Sequence, residues 1–148
     1  RKGGMGPFIH VSSAKFPVLP GESDELVNEG TYGKALAEYL VIRLRECGYN
    51  VPFCCCEDWG WWVELAGLPF TFGVCIYGQQ LDDGRLDLYV TDGAIQERHW
   101  SWRGLQFVTT TADVTRLYKY LIDIFSADPD IQVLATDLQS PFAENKVD

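Results

Sequence analysis

The sequence contains no long hydrophobic run, no cluster of basic residues and no even set of cysteines, and each absence argues against a class of protein. Because no stretch of about 18 apolar residues occurs, we expect no membrane-spanning helix, and no signal peptide is visible. Binding to a nucleic-acid backbone requires clustered Lys and Arg, whereas 12 basic residues face 21 acidic ones here. The net charge of −9 therefore argues against a nucleic-acid partner and favours a solvated surface or a basic protein partner, while the missing apolar run argues against a membrane partner.

The five cysteines do not form a typical disulfide framework, because their number is odd and Cys54, Cys55 and Cys56 are consecutive. Such thiols are typical of the reducing cytoplasm, which is the predicted location. Zinc sites need cysteine pairs on turns, with a second pair or with histidines, and only Cys47 and Cys75 remain. We expect small buried side chains here, with a metal site or a redox role as less favoured alternatives. We predict no metal and no cofactor.

Motifs of nucleophilic catalysis and nucleotide binding are missing as well. The chain has neither a Gly-x-Ser-x-Gly elbow nor a Gly-x-x-x-x-Gly-Lys-Ser/Thr loop. The two histidines, His10 and His99, lie far apart and are interpreted as structural or exposed residues. Gly30 and Gly33 could present backbone amides to an anion at a helix start, although a tight turn into the helix is the favoured interpretation. Motifs alone therefore nominate no catalytic residue.

The residues that are present indicate one globular domain. Of the 148 residues, 47% are hydrophobic and 14% aromatic, so the chain can bury a full core. Residues 1–4, which precede Met5, are expected to be an artificial extension. The domain is predicted to cover 5–139, and the polar residues 140–148 are predicted to form a flexible tail.

Two helices are predicted from apolar residues that recur every three or four positions. The first covers about Thr31–Cys47, and Gly48 follows it where a left-handed residue commonly ends a helix. The second covers about Ala112–Ser126, and Asp128-Pro129 ends it.

The remaining segments show the short apolar runs and turn signals of strands. Asp82-Asp83-Gly84 indicates a hairpin, after which Leu86, Leu88 and Val90 are expected to face the core while the alternate side chains face water. The predicted strands are Phe8–Val11, Tyr49–Cys56, Trp61–Leu65, Phe70–Tyr77, Arg85–Thr91, a short strand within Trp100–Phe107, and Ile131–Ala135. We therefore predict an α+β fold, a mainly antiparallel sheet of four to six strands with the two amphipathic helices on one face.

Two acidic and aromatic segments supply the candidate binding residues. In Glu57-Asp58-Trp59-Gly60-Trp61-Trp62, a carboxylate whose pKa is raised by apolar neighbours could act as an acid or base. Equally, Asp58 could cap the turn while the indoles fill the core or anchor an interface. The second segment surrounds His99. The candidate binding residues are Glu57, Asp58, Trp59, Trp61, His99, Trp100 and Trp102.

The strings Asn28–Glu38, Gly48–Val51 and Glu57–Trp61 resemble a family of small uncharacterised bacterial proteins. Their most specific parts are the motifs Tyr-Gly-Lys-Ala-Leu-Ala-Glu and Glu-Asp-Trp-Gly-Trp. The resemblance implies a bacterial, intracellular protein and transfers no catalytic residue to this chain.

The acidic charge, the abundant aromatic residues and the missing catalytic set favour a non-enzymatic protein-binding module, such as an immunity or inhibitor protein. The alternative is a small enzyme or ligand-binding domain with a pocket near the Glu57-Asp58-Trp59 turn, to which Tyr32, His99 and Arg103 would contribute. A third hypothesis is a homodimer formed through the edge strand that contains Pro52.

Overall fold

The computed structural model describes residues 6–93, 99–101, 106–108 and 111–142 and shows an α+β fold. Its elements, in chain order, are β1 Phe8–Ser12, α1 Lys34–Glu46, β2 Cys54–Cys56, β3 Trp61–Glu64, β4 Gly73–Gln80, β5 Leu86–Asp92, β6 His99–Ser101, β7 Gln106–Val108, α2 Thr111–Ala127 and β8 Gln132–Leu138. Among these residues, neither helix is long and apolar enough to cross a membrane. The predicted fold class is confirmed.

Six strands form one antiparallel sheet in the order β2-β3-β4-β5-β1-β8. Strands β2 to β5 follow one another as a meander, and β1 then inserts between β5 and β8. The N-terminal strand is therefore internal, and a residue of β1 can face residues far along the chain. Strands β6 and β7 pair in a separate two-stranded sheet, within the segment where one short strand was expected.

Both helices pack on the same face of the sheet, as predicted. Leu40 of α1 and Leu117 of α2 are fully buried in one cluster with Ile9, Ile76 and Val90 of the sheet. Burial of each such side chain contributes about 1.5–3 kcal/mol relative to an exposed position. The helix-facing side of the sheet is therefore the hydrophobic core.

The start of α1 differs from the prediction because the carboxylate of Glu22 occupies it. Glu22 is fully buried, and its Oε2 accepts hydrogen bonds from the backbone N–H groups of Gly33 and Lys34, at 2.9 and 3.1 Å. These are donors that a helix start leaves without an intrahelical acceptor. The helix consequently begins at Lys34 and not at Thr31. The hypothesis of an external anion at Gly30 and Gly33 is not supported, because an internal carboxylate already fills that place.

Two strands are shorter or displaced relative to the prediction. Strand β2 covers only Cys54–Cys56, after Pro52, but it does lie at the sheet edge as expected. Strand β4 begins at Gly73 and not at Phe70. Gly73 lies directly against Trp62, since a Cβ there would meet the indole at 2.5 Å.

The second sheet face is also buried, which contradicts the expectation of a wet face on β5. All seven residues of Leu86–Asp92 are buried, including Asp87, Tyr89 and Thr91. We call the sheet face opposite the helices the outer face. The alternating sequence predicts solvent there, but the structure buries these side chains.

Both chain ends lie mainly outside the described residues. The predicted artificial extension 1–4 lies outside them, as do residues 143–148 of the predicted tail. Within the remainder of that tail, the ring of Phe142 packs edge-on against Tyr89, with 4.9 Å between ring centroids.

Candidate functional site

The outer face carries a row of polar and aromatic side chains, which we call the polar strip: His10, Tyr77, Asp87, Tyr89 and Thr91. Strand register places His10 of β1 opposite Tyr89 of β5, and Tyr89 opposite Tyr77 of β4. Because alternate residues of a strand share a face, Asp87 and Thr91 lie on the same side as Tyr89. Three neighbouring strands thus bring these groups together.

The central contact of the polar strip joins His10 and Asp87, whose Nε2 and Oδ1 atoms are hydrogen-bonded. His10 is 5% exposed and Asp87 is 6% exposed. Burial of a carboxylate is costly unless a partner compensates it, and the imidazole is that partner. Histidine and aspartate are among the side chains most often used as general acids and bases, so the pair is suited to acid–base chemistry.

Tyr89 fixes the plane of the imidazole. The His10 and Tyr89 rings are stacked with 4.2 Å between centroids and 7° between planes. Tyr89 is fully buried, so its ring is a rigid support. The carboxylate therefore holds one edge of the imidazole, and the tyrosine holds one of its faces.

The other end of the polar strip is aromatic and reaches the surface. Trp59 packs against Tyr77 at 5.3 Å between centroids, and Phe8 meets Tyr77 edge-on at 5.7 Å. Trp59 and Tyr77 are half-buried, whereas Phe8 is buried. Two strand spacings, about 10 Å, separate Tyr77 from His10. The polar strip is therefore open to solvent at its Trp59 end and closed at its His10 end.

The turn predicted as a pocket wall lies beside this aromatic end. Glu57 is half-buried and its Oε1 accepts a hydrogen bond from the thiol of Cys55 at 3.6 Å. Asp58 is exposed, and its backbone carbonyl accepts a hydrogen bond from Asn28 Nδ2 at 2.5 Å. Together with Trp59, these residues form a carboxylate-rich rim next to Tyr77.

Trp61 does not belong to this rim, although it was predicted as a binding residue. Its side chain is 3% exposed and lies in the helix-side core, where Nε1 donates to the carbonyl of Thr31 at 3.0 Å. Tyr32 also packs against that core, and its hydroxyl lies 3.2 Å from Ser23 Oγ. Both residues are therefore separated by the sheet from the polar strip.

The segment around His99 is only partly described. His99 and Trp100 lie on β6, opposite Val108 and Phe107 of β7, as far as the backbone shows. Trp102, together with the alternative's Arg103, lies outside the described residues. Their predicted binding roles stay predictions.

Sequence reasoning missed His10, Asp87 and Tyr89. His10 was interpreted as structural or exposed, and Asp87 and Tyr89 were assigned to a wet face. A separation of 77 residues hides the pair, because nothing local links β1 to β5. The one sequence signal for this site is the position of Asp87 between Leu86 and Leu88 in a strongly apolar strand, which could have indicated a buried carboxylate.

A separate groove of about 650 Å³ lies between the two helices and the loop that follows α2. Inside it, Asp128 Oδ2 accepts hydrogen bonds from Lys15 Nζ at 2.7 Å and from the Tyr39 hydroxyl at 2.8 Å. The Lys15 ammonium is the main reason that the pKa of Asp128 is lowered to about 2. This carboxylate is engaged in holding the groove together, so we assign the groove a structural role.

The sulfur atoms add no covalent chemistry to the site. Cys47, Cys54, Cys55, Cys56 and Cys75 form no disulfide bond. Burial raises the pKa of the Cys54 thiol, which disfavours the reactive thiolate. Within the described ranges, no group of three or more potential metal ligands occurs.

Comparison with known proteins shows that the chain is similar in sequence to a protein named as an enzyme. The chain is 31% identical to "L-rhamnose mutarotase" of Escherichia coli O8 (strain IAI1) over 81 residues, which cover 55% of this chain and 73% of that protein. No family model matches the chain. No solved structure matches it either.

This similarity overturns the expectation of a non-enzymatic immunity or inhibitor protein. The related protein is an enzyme by name, and it is matched over most of its length. Part of the aromatic content that suggested a binding module is explained by the outer face, where Tyr89 is fully buried. The alternative hypothesis, a small enzyme or ligand-binding domain, is the one that the similarity favours.

Proposed function

We propose that this chain, which belongs to the L-rhamnose mutarotase family, is a small enzyme that interconverts the anomers of a neutral aldose. The observation that carries the proposal is the buried His10–Asp87 pair. It is a proton-exchanging pair on a rigid sheet, next to an aromatic surface that reaches solvent.

The reaction requires two proton transfers and no redox step. A base takes the proton of the anomeric hydroxyl, while an acid protonates the ring oxygen as its bond to the anomeric carbon breaks. The open-chain aldehyde then rotates about the bond next to the carbonyl. Addition of the same hydroxyl to the other carbonyl face reforms the ring, and the protons return in the opposite sense.

His10 is the base in this proposal: it takes the proton of the anomeric hydroxyl and returns it after the rotation, while a water molecule donates and then recovers the proton of the ring oxygen. Asp87 contacts Nε2, so it favours an imidazole with a proton on that nitrogen and stabilises the imidazolium that forms when His10 accepts a second one. The stack on Tyr89 keeps the ring in one orientation during both transfers. General acid–base catalysis of this kind contributes roughly 10²–10⁴-fold to a rate.

The aromatic end of the polar strip supplies sugar binding. Trp59 and Tyr77 present ring surface, against which the C–H groups of a pyranose can pack. The carboxylate of Glu57 lies on the same rim and can accept hydrogen bonds from sugar hydroxyls. In this proposal the substrate enters at the half-exposed Trp59 end, and its anomeric centre reaches His10, about 10 Å further along the outer face, only when the side chains that cover His10 move.

Charge favours a neutral sugar over a sugar phosphate. Strands β1, β3, β4 and β5 contain no Lys or Arg, and their carboxylates on the outer face are Glu64 and Asp87. A phosphate group next to these carboxylates would be repelled, because recognition of phosphate uses Arg, Lys or helix N-termini.

Anomer exchange of L-rhamnose and other neutral aldoses, followed by saturation-transfer NMR at equilibrium, tests the proposal. The wild-type protein is expected to accelerate exchange of at least one aldose above the buffer rate. His10→Gln should reduce that acceleration by roughly 10²–10⁴-fold. Asp87→Asn should reduce it by about tenfold or more.

Asp128→Asn is the matched control, since it neutralises an equally engaged carboxylate on the helix side of the molecule. It should leave exchange unchanged in folded protein. A wild-type protein that accelerates no aldose in the panel would refute the proposed function, and full activity in folded His10→Gln would refute the assignment of the base.

A further inference from the structure

The side chain that supports the His10 ring is itself held by the C-terminal segment. Tyr89 stacks on His10 on one side and meets Phe142 edge-on, with 4.9 Å between centroids and 70° between planes. Phe142 is half-buried. A continuous series of packed rings thus runs from the end of the described chain to the imidazole.

The backbone at Phe142 indicates that this docking is specific. Its φ is +63°, in the left-handed region that a phenylalanine rarely adopts. Such a conformation persists only where surrounding contacts impose it, and it is common at functional sites. The contact with Tyr89 is the ring contact that accompanies this conformation.

We propose that Tyr89 is a positioning residue for His10 and that the C-terminal segment, residues 140–142, completes the site by seating Phe142 against Tyr89. The expected effect on the exchange rate rests on the proposed function. The expected effect on the orientation of the His10 imidazole does not depend on it. Tyr89 acts through His10, because its stacked ring fixes the plane of the imidazole.

The test combines histidine 15N NMR at one neutral pH with anomer-exchange rates. The chain has two histidines, so a His99→Gln variant assigns the His10 signals. Tyr89→Leu and Phe142→Ala should both move the His10 15N signals and lower the exchange rate constant at saturating sugar by about tenfold or more, since small misplacements of a catalytic group are costly. The sugar concentration at half-saturation should change less than about twofold, because the Trp59 end is untouched.

Tyr89→Phe is the conservative variant and should restore most of the His10 signal positions and of the rate that Tyr89→Leu loses, because the stacking ring is kept. Unchanged His10 signals in Phe142→Ala and in Tyr89→Leu would overturn the positioning role. If Tyr89→Leu does not fold, Phe142→Ala decides the outcome, since its ring lies at the edge of the fold.

The two proposals fail separately. A wild-type protein that exchanges no anomers, yet shows the expected movement of the His10 signals, would remove the proposed function and keep the positioning role. Active protein with unmoved His10 signals would do the reverse.

Discussion

Nε2 of His10 and Oδ1 of Asp87 are joined in a hydrogen bond although 77 residues separate them in the sequence. The insertion of β1 beside β5 creates this contact, because it places the N-terminal strand in the interior of the sheet. Replacing a buried ion pair by apolar residues is often neutral or stabilising, so such a pair is weak support for a purely structural role. The stacking on Tyr89 and the family membership both favour a chemical role.

The pair should be strongly coupled in stability. Asp87→Leu is expected to lower the free energy of unfolding by about 3–5 kcal/mol, because it leaves the buried imidazole without its carboxylate. The double variant His10→Leu/Asp87→Leu should be clearly more stable than the sum of the single changes predicts. Urea unfolding of the four proteins gives the coupling energy, and additive single effects would show that the contact is not energetically significant.

The carboxylate of Glu22 should be essential to the start of α1. Its two oxygens accept hydrogen bonds from the backbone N–H groups of Leu19, Gly33 and Lys34, and Glu22→Ala leaves these donors without that acceptor. We expect a loss of about 1–3 kcal/mol in the free energy of unfolding. Glu25→Ala is the matched control, since Glu25 forms an exposed ion pair with Lys34 and should cost at most about 1 kcal/mol. Equal losses in the two variants would contradict this account.

Acid should weaken the groove between the helices through Asp128. The pKa of Asp128 is lowered to about 2 in the folded protein, mainly by the hydrogen bond from Lys15. A carboxyl whose folded pKa lies below its unfolded value near 3.9 stabilises the fold above that value. Its contribution is lost as the pH falls from about 4 to about 2. The free energy of unfolding measured across this range should depend less on pH in Asp128→Asn than in wild type. Identical slopes in the two proteins would show that the pKa of Asp128 is not lowered in the folded state.

Phosphorylation of the sugar should abolish its use as a substrate. We expect anomer exchange of a neutral aldose to be accelerated, whereas exchange of its 6-phosphate should proceed at the buffer rate. The reason is the set of carboxylates on strands that lack Lys and Arg. Comparison of D-glucose with D-glucose 6-phosphate measures this if D-glucose is accepted, and L-rhamnose provides the neutral reference. Preferential acceleration of the phosphate would require cationic groups at the site and would contradict the charge argument.

The fold could be predicted from the sequence where local signals decide it. The apolar spacing in α1 and α2 and the turn at Asp82-Asp83-Gly84 all act within a few residues, and the structure agrees with them. The predicted ends of helices and strands are wrong where a group from a distant part of the sequence decides them. The helix starts at Lys34 because Glu22 reaches Gly33 and Lys34 from the preceding loop, which no periodicity reveals.

The candidate site could be predicted only in part. Glu57, Asp58 and Trp59 are unusual as a string, and they do lie beside the polar strip. His10 and Asp87 belong to no recognisable sequence motif. They come into contact only because the strand order places β1 beside β5. The alternation in β5 predicts one face exposed to solvent, because polar residues usually face water. In the structure, the residues on both faces of β5 are buried.

The most direct measurement is the rate of exchange between the α and β anomers of L-rhamnose, by saturation-transfer NMR, with wild-type and folded His10→Gln protein at equal concentration. The account predicts clear acceleration by the wild type and a loss of roughly 10²–10⁴-fold in the variant. Equal rates with both proteins, whether fast or at the level of buffer, would contradict the claim that the imidazole paired with Asp87 carries the chemistry.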